Sequence, residues 1–150
     1  MALNTLSAMA LHGLYDQVEG GFFRYSTDAG WEIPHFEKML YDQALLAMSY
    51  LETYQITGKE EYASTAKEVF QYVLRDMTDP NGGFYTAEDA DSDGEEGTFY
   101  VWTEKELKEI FDKHNCIING GHTMIGKDSD PVIGFTVTGE SKLKENKNKN

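Results

Sequence analysis

The chain has a single cysteine, Cys116, among its 150 residues. One thiol excludes an internal disulfide, a Cys-x-x-Cys redox pair and a thiolate zinc centre, and it is compatible with a reducing compartment. Long apolar runs are missing as well. Nothing approaches the roughly 18 consecutive apolar residues of a membrane helix, so no span is expected. Residues 1–10 carry neither a basic start nor an extended apolar stretch. No secretory leader is therefore expected, and the cytoplasm is the expected location.

Basic residues are scarce, 13 Lys and Arg against 26 Asp and Glu, for a net charge of −13. Residues 141–150 hold four lysines and one glutamate, +3, so the first 140 residues carry −16. A body this acidic argues against nucleic acid and anionic membranes as partners and suits neutral or cationic ligands. The Lys- and Asn-rich tail, with Leu143 as its last apolar residue, is expected to be disordered.

What the sequence does contain is helical periodicity broken by aromatic, glycine-marked excursions. Residues 2–18 form an expected helix with Leu3, Leu6, Met9, Ala10, Gly13 and Leu14 on one face. Glu19-Gly-Gly-Phe-Phe-Arg-Tyr25 interrupts it, and a polar turn from Ser26 to Gly30 leads to Trp31. Pro34 suits a first helical turn, and the spacing predicts a helix from there to Thr57, closed by Gly58. Its apolar arc is so broad that packing on more than one side is expected. Lys38 and Asp42 fall on the narrow polar remainder, where an ordinary intrahelical ion pair is expected.

A further helix is predicted over about Glu60 to Met77, with Tyr62, Ala63, Ala66, Val69, Phe70, Val73, Leu74 and Met77 in one stripe opposite Ser64, Glu68, Gln71 and Arg75. Asn81-Gly-Gly-Phe-Tyr85 then repeats the glycine break 62 residues after the first, followed by the acidic run Glu88–Glu96 and the aromatics of Thr98–Trp102. Thr103 and Glu106 have the spacing of a capping box for a short helix to about Phe111. From Asp112 onward periodicity fades. Helix pairs recurring at about 60 residues point to a repeat architecture, a closed helical toroid rather than an irregular bundle.

Four segments, residues 15–28, 34–42, 82–91 and 96–102, closely resemble the YyaL family, which includes the spermatogenesis-associated thioredoxin-like proteins of animals. The likeness is dense over residues 3–111 and faint around Asp128–Pro131 and Gly134-Phe135. It implies an all-α fold: the first hairpins of an (α/α)6 toroid of the six-hairpin glycosidase type over residues 1–111, with short β-hairpin loops at one end and an irregular segment over 112–140. It also implies a thioredoxin-like domain as a neighbour in a longer parent. This chain then reads as a truncated part of the toroid, with helix faces left bare.

The candidate site follows from chemistry and resemblance together. His35, expected at a helix N-terminus where the dipole favours neutral imidazole, is a candidate general base. Glu37 is a second acid/base candidate, and pairing with an arginine is its plain structural alternative. Arg24 fits a carboxylate or sugar-hydroxyl clamp and is equally able to pair with Glu37. Tyr25, Trp31, Tyr41 and Trp102 are candidate sugar-binding aromatics, although aromatics on return segments are more often core. The resemblance places Glu88, Asp89 and Asp91 on a loop lining a cleft, with Glu88 binding substrate and Asp89 and Asp91 joining the catalytic acids.

Asp89-x-Asp91-x-Asp93-Gly94 copies the start of a calcium loop. Position twelve is Tyr100 and position eight is Glu96, so an EF-hand is rejected; a weak calcium site of another kind is the minor alternative in so acidic a run, and no metal or cofactor is assigned. The function expected is epimerisation or glycoside cleavage of a small-molecule carbohydrate. The alternatives are a non-catalytic binding or regulatory domain acting with the thioredoxin-like neighbour, and an inactive truncated product.

Overall fold

A computed structural model describes residues 1–92, 94–103 and 105–106, together with the backbone of 122–125 and 131–134. The chain divides into two units, Met1–Tyr100 and Val101–Asn150. In the first, the described elements are one helix, three two-residue strands, two consecutive helices and three more such strands: α1 (Ala2–Leu11), β1 (Tyr25–Ser26), β2 (Pro34–His35), β3 (Lys38–Met39), α2 (Leu40–Thr57), α3 (Glu60–Asp76), β4 (Ala87–Glu88), β5 (Asp91–Ser92) and β6 (Glu95–Glu96). The fold is mostly helical with small antiparallel pairs, β1 with β2, β3 with β4 and β5 with β6. Among the described residues no helix is long and apolar enough to cross a membrane.

Two helices differ from expectation. α1 ends at Leu11 instead of running to residue 18, because His12 turns to extended backbone and Gly13 comes against Trp31, whose carbonyl accepts its N–H at 2.8 Å. A Cβ on Gly13 would lie 2.0 Å from the Glu32 carbonyl oxygen. α2 begins at Leu40, six residues after Pro34. Residues 34–39 stay extended because they pair laterally: β3 runs antiparallel to β4, Lys38 opposite Glu88 and Met39 opposite Ala87. The N–H of Leu40 donates to the Thr86 carbonyl at 2.9 Å. The far ends agree with the sequence, Gly58 capping α2 in the left-handed conformation at φ 67°.

The core lies where α2 and α3 face each other, around Phe22, Ala47, Tyr50, Tyr62, Ala66 and Val69. α1 joins it through the Tyr50 hydroxyl, which donates to the Leu6 carbonyl at 2.7 Å. Alanines at the crossing let the helices approach closely while the tyrosine rings fill the flanks. α2 buries a single stripe, Gln43, Ala47, Tyr50 and Thr53, so the expected packing on more than one side is not present. Leu45, Met48 and Ile56 are exposed at 60%, 56% and 85%. α3 has the expected wet side, but Phe70 and Leu74 are exposed with it.

Both glycine breaks fold alike. Tyr15 bridges Phe22 and Thr78 bridges Phe84. In each, an aspartate, Asp16 or Asp79, begins the turn, its N–H donating to the Gly21 or Gly83 carbonyl. All four glycines have positive φ, between 82° and 98°, a region only glycine enters without strain. The copies differ in seating, Phe22 being fully buried and Phe84 55% exposed. Gln43 fixes the first copy, its Oε1 accepting the Phe22 N–H at 2.8 Å and its Nε2 donating to the Phe22 carbonyl at 2.6 Å.

In the second unit, Thr103 and Glu106 form the expected capping box: the Thr103 N–H and hydroxyl donate to Glu106 Oε2, and the Glu106 N–H donates to Thr103 Oγ1. An antiparallel pair, β7 (His122–Ile125) with β8 (Pro131–Gly134), sets His122 opposite Gly134, within a stretch where no regular element was expected. Residues 107–111 of the expected short helix and the expected tail, 141–150, lie outside the described residues.

Candidate functional site

His35 stands on β2, not at a helix N-terminus, so no helix dipole acts on it. Tyr25 is its partner across the β1–β2 ladder, and their rings stack at 4.8 Å with 20° between planes. His35 Nδ1 lies 2.6 Å from Glu96 Oε1, which also accepts the Phe36 N–H at 3.3 Å. On the other side, His35 Nε2 is 3.7 Å from Glu37 Oε2. The imidazole is thus flanked by two carboxylates, with the side chains of His35 and Glu37 each 24% exposed and Glu96 46% exposed. With hydrogen on Nδ1, the ring donates to Glu96 and presents Nε2 as acceptor.

Glu37 lies on extended chain between β2 and β3 rather than in a helical turn. Its Oε2 receives the Arg24 guanidinium at 2.6 Å, and the Arg24 N–H donates to the Glu37 carbonyl at 2.8 Å. Of the two roles open to each residue, mutual pairing is the one found. Tyr41, in the first turn of α2, also acts on Arg24, with Glu37 the larger influence holding that guanidinium charged.

The expected Lys38–Asp42 pair does not form, because Lys38 precedes the helix and turns inward. One oxygen of Asp42 is buried without a hydrogen-bond partner. Burial raises the pKa of Asp42, as does the charge of Glu37, while Arg24 lowers it.

Lys38 is the main residue that periodicity misplaced. Only 1% exposed, it reaches Asp16 Oδ2 at 2.8 Å and the Gly20 carbonyl at 2.9 Å. Its ammonium sits over the rings of Phe23, Tyr72 and Tyr100, 4.6–5.1 Å from their centroids. The signal that would have found it is the two-residue alternation from Pro34 to Met39. Phe36 and Lys38 both meet Phe23 and Tyr100, whereas His35 and Glu37 meet Arg24, Tyr25 and Glu96.

Glu88 and Asp89 open with Lys38, Tyr72, Phe99 and Tyr100 onto a cleft of about 610 Å³. His35, Glu37 and Asp91 do not line it. The Tyr72 hydroxyl makes no hydrogen bond of ordinary geometry. Burial, followed by the charge of Glu88, raises the Tyr72 pKa. Asp91 instead lies opposite Glu96 in the β5–β6 ladder, its N–H donating to Asp89 Oδ1 at 3.0 Å. The acidic hairpin therefore meets the histidine through Glu96, a residue not among the expected site residues.

Trp31 packs against the core and carries a positive φ of 63°. Trp102, 42% exposed, belongs to the second unit. Among the described residues no three His, Cys, Asp or Glu side chains gather as metal ligands. Asp93 of the calcium-like run lies outside the described residues.

No family model matches the chain. It is similar to proteins called spermatogenesis-associated protein 20: 54% identical to that of Mus musculus and 53% to that of Homo sapiens, each over 116 residues. An uncharacterized protein of Caenorhabditis elegans is 38% identical over 119 residues. These matches cover 73% of this chain but only 15–16% of the relatives, so the chain corresponds to a small part of longer proteins similar to spermatogenesis-associated protein 20.

Proposed function

We propose that the chain forms part of a carbohydrate-processing domain, the opening of an (α/α)6 toroid of the six-hairpin glycosidase type, acting on a small-molecule sugar by acid–base chemistry of the epimerase or glycosidase kind. The observation that carries this reading is the imidazole of His35 held between Glu96 and Glu37. A carboxylate on Nδ1 fixes ring orientation and leaves Nε2 to exchange a proton with a ligand, the arrangement general-base histidines require. Tyr25 and Tyr41, 50% and 48% exposed, add aromatic surface beside polar groups, which suits a sugar ring.

Arg24 assigns Glu37 a narrower role than a free acid would have. Its Oε2 is taken up by the charge-assisted bond to the guanidinium, which suits it to orienting ligand hydroxyls, and His35 is the group assigned to move the proton. A thioredoxin-like domain is the neighbour this reading gives the segment within the longer proteins.

The test is ligand-observed NMR of the chain with a panel of neutral hexoses, repeated with His35→Ala and Glu96→Gln. Saturation transfer that disappears in both variants is the expected result. Binding unaffected by either variant would shift the reading to a non-catalytic binding or regulatory role, which the Arg24–Glu37 pairing favours.

A further inference from the structure

The cleft beside Lys38 has a charge arrangement that the His35 site does not use. Its two cations are already satisfied: Lys38 by Asp16 and the Gly20 carbonyl, and Arg75 by Asp76 and by the carbonyl and carboxylate of Glu19. Glu88 and Asp89 form no ion pair among the described residues. Two carboxylates without a cationic partner therefore face the opening, Glu88 beside the Tyr72 and Tyr100 hydroxyls and Asp89 accepting only the Asp91 N–H among the described residues. Beside them stands Phe99, 66% exposed and edge-on to Tyr100 at 5.1 Å. At the bottom lies the Tyr72 hydroxyl, in a residue 98% buried and without a hydrogen bond of ordinary geometry.

Ionised carboxylates accept hydrogen bonds and give none, so the complementary ligand brings donors and positive charge. Aromatic faces add attraction for a cation. The protein already holds one primary ammonium in this manner, that of Lys38, against a carboxylate and three rings. The volume, about 610 Å³, lies within the range of small-molecule sites, roughly 300–1,000 Å³. An anion would meet the acids unshielded.

We infer that this cleft binds a small aliphatic ammonium ligand, with Glu88 and Asp89 as its counter-charges, Phe99 as its aromatic face and Tyr72 as the hydroxyl at its base. The inference is independent of the sugar reading, since none of these residues contacts His35.

Isothermal titration of the chain with 1,4-diaminobutane at fixed ionic strength tests it, with 1,4-butanediol as the uncharged isostere. The diamine is expected to bind at least about tenfold more tightly than the diol. The double variant Glu88→Gln/Asp89→Asn, its fold checked by circular dichroism, is expected to weaken the diamine by about tenfold or more. Phe99→Leu, at an exposed position, is expected to weaken it while leaving the fold intact. Glu60→Gln/Glu61→Gln, at the start of α3, controls for general attraction to an acidic surface and is expected to change nothing. Absence of diamine binding, equal binding of the diol, or equal losses from the two double variants would each overturn the inference.

Discussion

The Lys38 ammonium lies 2.8 Å from Asp16 Oδ2, with 1% and 7% of the two side chains exposed. The pair joins β3 to the first glycine turn across 22 residues of sequence. Removing one partner strands the other charge in the interior, at a cost of about 3–5 kcal/mol. Lys38→Ala and Asp16→Ala are each expected to lower urea stability by that amount. Lys38→Met/Asp16→Leu is expected to return to within about 2 kcal/mol of the parent, since an apolar pair of similar volume can replace a buried ion pair.

Gln43 substitutes for a neighbouring strand by meeting both backbone groups of Phe22. Gln43→Leu leaves a buried N–H and a buried carbonyl unsatisfied, each worth about 1–3 kcal/mol. A fall in melting temperature should accompany faster hydrogen exchange at the Phe22 amide. Unchanged exchange there would contradict the bracketing role.

His35 and its carboxylates are partly exposed, so they are expected to matter little for stability. His35→Ala and Glu96→Gln should each shift unfolding by less than about 1 kcal/mol. Glu96→Gln should nevertheless change the ¹⁵N shift of His35 Nδ1, because the hydrogen bond selecting that tautomer is weakened. A large stability loss with an unchanged nitrogen shift would make the cluster a structural strut.

Base is expected to unfold the first unit. The pKa of each of Tyr15, Tyr50, Tyr72 and Tyr100 is raised, burial being the largest cause in every case. A phenol that ionises less readily when folded contributes its stability in full below the unfolded pKa, about 10, and loses it as pH climbs toward the folded value. Stability should hold below about pH 10 and then fall by about 1.4 kcal/mol per pH unit for each such phenol. Absorbance at the phenolate band should show these rings ionising together with the loss of helical ellipticity.

The sequence made legible what depends on short range. Gly58 closing α2, the body of α3, the Thr103–Glu106 box and the repeated glycine turn all rest on residues within a few positions of one another. The start of α2 was hidden because Phe36, Met39 and Leu40 fit a 3.6-residue period as well as a two-residue one. What decided between them was pairing with Ala87 and Glu88, some 50 residues onward. Lys38 was misread for the same reason: its partner Asp16 and its aromatic surroundings come from other elements. Of the candidate site, the Arg24–Glu37 contact was legible as an alternative. The Glu96 contact was not, since one acid among many in Glu88–Glu96 carries no local mark.

His35 and Glu96 stand 61 residues apart in sequence and touch through one hydrogen bond, between His35 Nδ1 and Glu96 Oε1 at 2.6 Å. Closure of the first unit therefore writes itself into one imidazole. A histidine resonance becomes a gauge of whether the segment before α2 and the hairpin after α3 are joined, readable even while the helices themselves remain wound.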